Sequence, residues 1–233
     1  MKPVTMAWLV PLFALLLLAG CSAIPAACRG LEAGQRSKCI LDTATAQQNA
    51  GLCDTIQNEG FRAWCLTSVA NATNSAAPCE RIATPEVRDN CKREVFLAHG
   101  RVDECGGLST AVRDGCFDSA ARDTHDWRLC LNMSFTPLRE ACIESISREV
   151  GDPRGCLALL PSTKSRDSCI FLLSIAANST GTCGNIIDPE MSDYCILNIA
   201  IKQRNSSICD AIETNGTLYA CRQLVRNSTA QRP

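Results

Sequence analysis

Large apolar side chains along the chain keep a fixed distance from cysteines. Three residues after every second cysteine, counted from Cys28, stands Leu31, Ile56, Ile82, Leu108, Met133, Leu159, Ile186 or Ile212. Four residues after the intervening cysteines stand Thr43, Val69, Val95, Ala120, Ile146, Leu173, Ile199 and Val225, apolar in all but the first case. Spacings of three and four share one face of a helix, and strand alternation is absent. The cysteines themselves step by 11, 14, 12, 14, 12, 14, 11, 14, 12, 14, 13, 14, 12, 14 and 12 residues. Every second step is 14, which defines an internal repeat of about 26 residues, within the range of helical solenoids.

Polar positions predict where the helices start. Four residues before the first cysteine of a repeat stand Asn49, Ser75, Arg101, Asp126, Asp152, Ser179 and Asn205. All but Arg101 are good N-caps, because a short side-chain oxygen can accept from a free amide of the first turn. Pro153 suits a first helical position. Thr84-Pro85-Glu86, Thr136-Pro137 and Asp188-Pro189-Glu190 mark starts of the second helices in the same way. Each repeat is therefore expected to hold a short helix of about two turns, a tight turn and a longer helix of about three to four turns. The variable step contains the turn, and Pro161 falls in the longest one, between Cys156 and Cys169. The expected fold is all-α: a solenoid of eight short helical hairpins.

Two disulfide schemes are open. Pairing within a repeat gives Cys28–Cys39, Cys53–Cys65, Cys79–Cys91, Cys105–Cys116, Cys130–Cys142, Cys156–Cys169, Cys183–Cys195 and Cys209–Cys221. Pairing across the constant steps strands Cys28 and Cys221, so the first scheme is preferred. Each such bridge closes a loop of roughly 12 residues, worth about 2–3 kcal/mol in the chain-entropy model. A 26-residue hairpin is too small to bury a core alone, so bridges and stacking must supply its stability.

Seventeen cysteines in 233 residues is the outlying feature of the composition. Outside a reducing cytosol they read as cross-links. Aromatic residues are only 5%, so the core is expected to be aliphatic, and a net charge of −1 gives no electrostatic case for nucleic acid. At the N-terminus Lys2 precedes an apolar stretch, Met6 to Leu18, which reads as a secretory signal. The stretch is shorter than the roughly 20 residues of a comfortable membrane span.

Leu18-Ala19-Gly20-Cys21 resembles the lipobox of prokaryotic lipoproteins. That resemblance implies cleavage before Cys21, a diacylglycerol on its sulfur, and a membrane anchor on the outer face or the periplasmic side of the envelope. The competing expectation is an ordinary cut near Ala26-Ala27. Two acyl chains are a sufficient anchor. Ser22 at the next position resembles lipoproteins sent to an outer membrane. No downstream apolar span or C-terminal GPI signal is read. The expected organisation is a signal peptide at 1–20, a lipidated tether at 21–27, the cysteine-rich repeats at 28–226 and a polar tail at 227–233. In concept the repeats resemble the cysteine-rich Sel1-like proteins, secreted helical hairpins with one disulfide each. The shorter period limits that resemblance to architecture.

No CxxC occurs, so zinc-ribbon, thioredoxin-like and haem-attachment readings lack their motif. No cofactor is expected. The two histidines, His99 and His125, lie near ends of long helices, where contact with the helix C-terminus is the commoner role. An arginine stands three residues before the second cysteine in six repeats: Arg36, Arg62, Arg88, Arg113, Arg139 and Arg166. Asp89, Asp114, Glu140, Asp167 and Asp193 stand one place later. The arginines could form a guanidinium ladder gripping a carboxylate or sulfated ligand. The favoured reading is structural: the arginine covers the disulfide and pairs with an acid of the next repeat. Asn71, Asn132, Asn178, Asn205, Asn215 and Asn227 begin N-glycosylation sequons, with Asn205 also a cap candidate.

These features point to a non-catalytic envelope lipoprotein, a helical-repeat module that binds a protein or polysaccharide or acts as a spacer. An envelope hydrolase acting on cell-wall or glycan material is the alternative and lacks a base motif. A thiol redox or metal protein is disfavoured.

Overall fold

The computed structural model describes residues 24–159 and 163–230. The segment read as a secretory signal, Cys21, Ser22 and Pro161 lie outside the described residues. The chain divides into two compact units, Met1–Val112 and Arg113–Pro233. Among the described residues all regular structure is helical. The longer helices of the first unit are α1 (Ala33–Ala46), α2 (Glu59–Ala72) and α3 (Pro85–Ala98). Helix α4 (Thr110–Thr124) contains the division between the units. The second unit holds α5 (Thr136–Val150), α6 (Pro153–Leu157), α7 (Thr163–Ala177), α8 (Pro189–Gln203) and α9 (Asn215–Ala230). Helix α9 runs four residues into the segment expected as a polar tail.

The short helix of each repeat differs from an ordinary α-helix. Only α6 is α-helical; Ala26–Cys28, Ala50–Thr55, Ala77–Arg81, Val102–Gly107, Trp127–Asn132, Thr180–Asn185 and Ser206–Ala211 are 3-10 helices. The tighter winding suits a segment of six residues or fewer, since 3-10 runs are stable only when short. It also corrects the helical-face reading of the residue three after the first cysteine. Ile56, Ile82, Met133, Ile186 and Ile212 cap the short helix in extended conformation. Each donates its amide to the carbonyl of its cysteine at 3.0 or 3.1 Å. The side chain turns into the core because the helix ends there. Ile56 is 2% exposed and Met133 is 2% exposed.

The constancy of the 14-residue step has a local cause. Every long helix followed by a linker ends in a left-handed residue: Gln48, Asn74, Gly100, His125, Gly151, Asn178 and Arg204, with φ between 48° and 71°. The next residue donates its amide back to the carbonyl five positions earlier, as in Asn49 to Ala44 at 2.9 Å and Asn205 to Ala200 at 3.0 Å. This is the Schellman closure of a helix C-terminus. The same residue then caps the short helix. Asn49, Asp126, Asp152, Ser179 and Asn205 each accept from the amide two residues on, at 2.9 to 3.3 Å. Ser75 accepts from Ala77 at 3.3 Å. Arg101 caps nothing and pairs with Glu104 instead. A helix stop and a helix start thus share consecutive residues, leaving no place for a length change. The slack sits between the short helix and the long one.

The bridges run within hairpins. Cys28–Cys39, Cys53–Cys65, Cys79–Cys91, Cys130–Cys142, Cys156–Cys169, Cys183–Cys195 and Cys209–Cys221 have Cα separations of 5.5 to 5.9 Å. Cys105 and Cys116 are disulfide-bonded too. The core around them is aliphatic. Position four after the second cysteine is closed to solvent in Val69, Val95, Ile146 and Ile199, all 0% exposed. Thr43, the one polar residue there, returns its hydroxyl to the Cys39 carbonyl at 2.8 Å. Position five is small at several repeats: Ala44, Ala70, Ala121, Ser147, Ser174 and Ala200 are all 0% exposed. At Gly155 of α6 a Cβ would overlap Ser147 Oγ and lie 3.0 Å from Trp127 Cγ. Only glycine fits that approach.

Candidate functional site

Four of the five acids two residues before the second cysteine of a repeat bind backbone amides. Asp193 accepts from the amides of Glu213 and Thr214 at 3.0 and 2.9 Å. Asp114 does the same with Ser134 and Phe135 at 2.9 and 2.8 Å. Asp167 accepts from Ile187 at 3.1 Å and Asp188 at 2.9 Å, and Asp89 from Ser109 at 3.0 Å. Each carboxylate therefore reaches 20 or 21 residues ahead and ties one repeat to the linker of the next. Glu140, one methylene longer, accepts from the Ser165 hydroxyl at 3.1 Å. Burial is nearly complete at Asp114, Asp167 and Asp193, each 2 or 3% exposed. Burial pushes the Asp193 carboxyl up, but the Thr214 hydroxyl and the two amides outweigh it and hold it below the ordinary value. The Ser109 hydroxyl and amide lower Asp89 in the same sense.

The arginines correct the expected pairing with an acid of the next repeat. Arg36, Arg88 and Arg139 donate to the carbonyls of Leu31, Ile82 and Met133 at 2.7, 3.3 and 3.3 Å, holding the turn of their own hairpin. Arg166 donates to the Asn185 carbonyl at 2.9 Å, and Arg113 to the Ser134 hydroxyl. Arg62 lies 3.5 Å from Glu59. Where an arginine meets a ladder acid it is its own chain neighbour: Arg113 is 3.7 Å from Asp114, and Arg166 is 3.3 Å from Asp167. The acid reaches forward because the amides there are unsatisfied donors at a helix start.

His99 donates from Nε2 to the Asn71 carbonyl near the end of α2, at 2.9 Å. His125 stands 3.0 Å from Glu149, both more than half exposed. The sequon asparagines divide into two sets. Asn132, Asn205, Asn215 and Asn227 are exposed, and the Asn205 side chain is engaged as a cap. Asn71 and Asn178 are half-buried, and their Oδ1 atoms have no hydrogen-bond partner among the described residues.

A cluster in the second unit had no sequence signal beyond a lone Trp. Trp127, 8% exposed, donates its indole N–H to Asp152 at 3.0 Å, and Arg128 lies 5.1 Å over the ring. The two-pronged bond from Arg154 holds the Asp152 carboxyl well below the usual carboxylate range.

Recesses open between neighbouring hairpins within each unit. In the first unit a recess of about 330 Å³ is lined by Ile24, Ala33, Gly34, Arg36, Ser37, Ile40, Thr55, Ile56, Gln57, Asn58 and Phe61. Phe61 leans on Trp64, with centroids 5.8 Å apart, and Trp64 is 56% exposed. In the second unit Phe171, Leu172, Met191 and Tyr194, with Ser168, Asp188 and Glu190, line a shallow space of about 480 Å³. Among the described residues no helix is long and apolar enough to cross a membrane. No protein-family model matches the chain, and comparison with curated proteins and with solved structures finds no match.

Proposed function

We propose that the chain is an exported lipoprotein, anchored through Cys21, whose disulfide-clamped hairpins form a non-catalytic binding or scaffold module. The observation that carries this reading is the state of the cysteines. Among the described residues every cysteine is in a disulfide, as an oxidising compartment requires. The same fact speaks against a thiol redox role. The lipobox-like Leu18-Ala19-Gly20-Cys21 supplies the anchor. Within each unit, recesses between neighbouring hairpins offer surfaces of the kind that repeat proteins use for binding.

The test is metabolic labelling with a clickable fatty acid in a bacterial host. The wild-type chain should carry label and sediment with membranes, and Cys21→Ser should lose the label and leave the membrane fraction. Label retained in Cys21→Ser, or a wild-type chain without label, refutes the anchor.

A further inference from the structure

In four repeats an aspartate fills the space between a long helix and the linker that follows. Asp114, Asp167 and Asp193 accept from two consecutive amides there, and Asp89 from one. The first hairpin breaks the pattern. Ser37 holds the equivalent position, and its hydroxyl turns back to the Ala33 carbonyl at 3.0 Å. The corresponding amides belong to Gln57 and Asn58, 20 and 21 residues after Ser37, and both residues line the 330 Å³ recess. Neither amide has a hydrogen bond to the described residues.

Charge follows the same pattern. Arg113 and Arg166 have a neighbouring aspartate at 3.7 and 3.3 Å. Arg36 lines the recess with no ion pair among the described residues; its Nε is buried without a hydrogen-bond partner there, as is that of Arg113, but Arg113 has the Asp114 carboxylate beside it. A guanidinium and two adjacent amides thus surround a place that an aspartate carboxylate takes in four other repeats. The next recess, about 220 Å³, also lacks the acid, at Ala63, but its Arg62 already faces Glu59 at 3.5 Å.

We propose that the first recess binds a carboxylate supplied by another molecule: the free C-terminus of a peptide ending in an apolar residue. Charge-assisted bonds from backbone amides and an arginine suit a carboxylate. The remaining walls are largely apolar, with Ile24, Ile40, Ile56 and Phe61. An apolar terminal side chain packs against those four; the Ser37 and Thr55 hydroxyls that also line the recess already donate to the Ala33 and Leu52 carbonyls, so few free donors are left for a sugar acid. This inference rests on the binding half of the proposed function and is independent of the lipid anchor.

The test is NMR on the full exported chain, 15N-labelled, titrated with N-acetyl-leucine, N-acetyl-leucinamide and galacturonate. N-acetyl-leucine should move the Gln57 and Asn58 amides downfield in a saturable way. The amide analogue should move neither, and galacturonate should bind more weakly. Ser37→Asp builds the carboxylate into the recess. It should move both amides downfield without ligand and abolish binding, while Ser37→Ala keeps it. No saturable shift with N-acetyl-leucine, an equal shift with the amide analogue, tighter binding of galacturonate, or binding retained in Ser37→Asp overturns the proposal. A chain that fails to reach membranes but binds N-acetyl-leucine overturns only the anchor.

Discussion

Truncating Asp193 to alanine tests whether carboxylates tie the repeats together. The side chain is 3% exposed and accepts two amides at 3.0 and 2.9 Å. Hydrogen bonds to a charged group contribute about 1.5–3 kcal/mol each, so two set an upper bound of roughly 3–6 kcal/mol. Glu213 and Thr214 are exposed, and water reaches their amides once the carboxylate is gone. Losing the acid also removes its own desolvation cost. The expected net destabilisation is about 2 kcal/mol, on the scale of a lost helix cap. Denaturant unfolding without reductant reads this value, and amide exchange at Glu213 and Thr214 reads it locally, free of any two-state assumption. The pH dependence has a definite sign. Because the native Asp193 and Asp89 carboxyls lie below their ordinary value, their contribution is complete above the unfolded pKa. It is lost as pH falls through the native one. Asp193→Asn should therefore flatten the stability profile on the acid side of roughly pH 4. A change in Asp193→Ala below about 0.5 kcal/mol, the ordinary surface scale, with unchanged exchange at both amides, would refute the reasoning.

Gly155→Ala should cost about 1–3 kcal/mol, since its Cβ overlaps Ser147 Oγ and presses on Trp127. A lower melting temperature and a red shift of Trp127 emission check it; an unchanged melt contradicts the close approach. Arg204 holds φ of 54° at the end of α8, and Arg204→Gly should stabilise by about 0.5–1 kcal/mol, read by the same melt. A loss of stability there would show that the arginine side chain outweighs its backbone strain.

Much of this fold is legible in the sequence because the cysteines impose a register on everything else. Repeat length, the buried positions at Val69 or Ile199, and the caps at Asn49 or Asp152 are all one-dimensional patterns. What is not legible depends on contacts about 20 residues away. Asp114 and Asp167 look like ion-pair partners for an arginine of a neighbouring repeat, yet their forward partners are backbone amides, which leave no mark in sequence. The left-handed stop is plain at Gly100 and Gly151 but hidden at Gln48, His125 and Arg204, where fixed geometry overrides residue preference. The 3-10 winding is invisible because its period differs too little over six residues. The open recess becomes readable only afterwards: once the aspartate is known to hold the linker, Ser37 stands out as the position where it is missing.

The most direct test of the clamped hairpins and the proposed tether is a non-reducing digest of the protein, cleaved between neighbouring cysteines and mapped by mass. The account predicts cross-linked peptides pairing Cys28 with Cys39 and so on through Cys209 with Cys221, no free thiol, and an acylated peptide beginning at Cys21. Cross-links over the 14-residue steps, such as Cys39 to Cys53, or a mature chain beginning beyond Cys21, would contradict it.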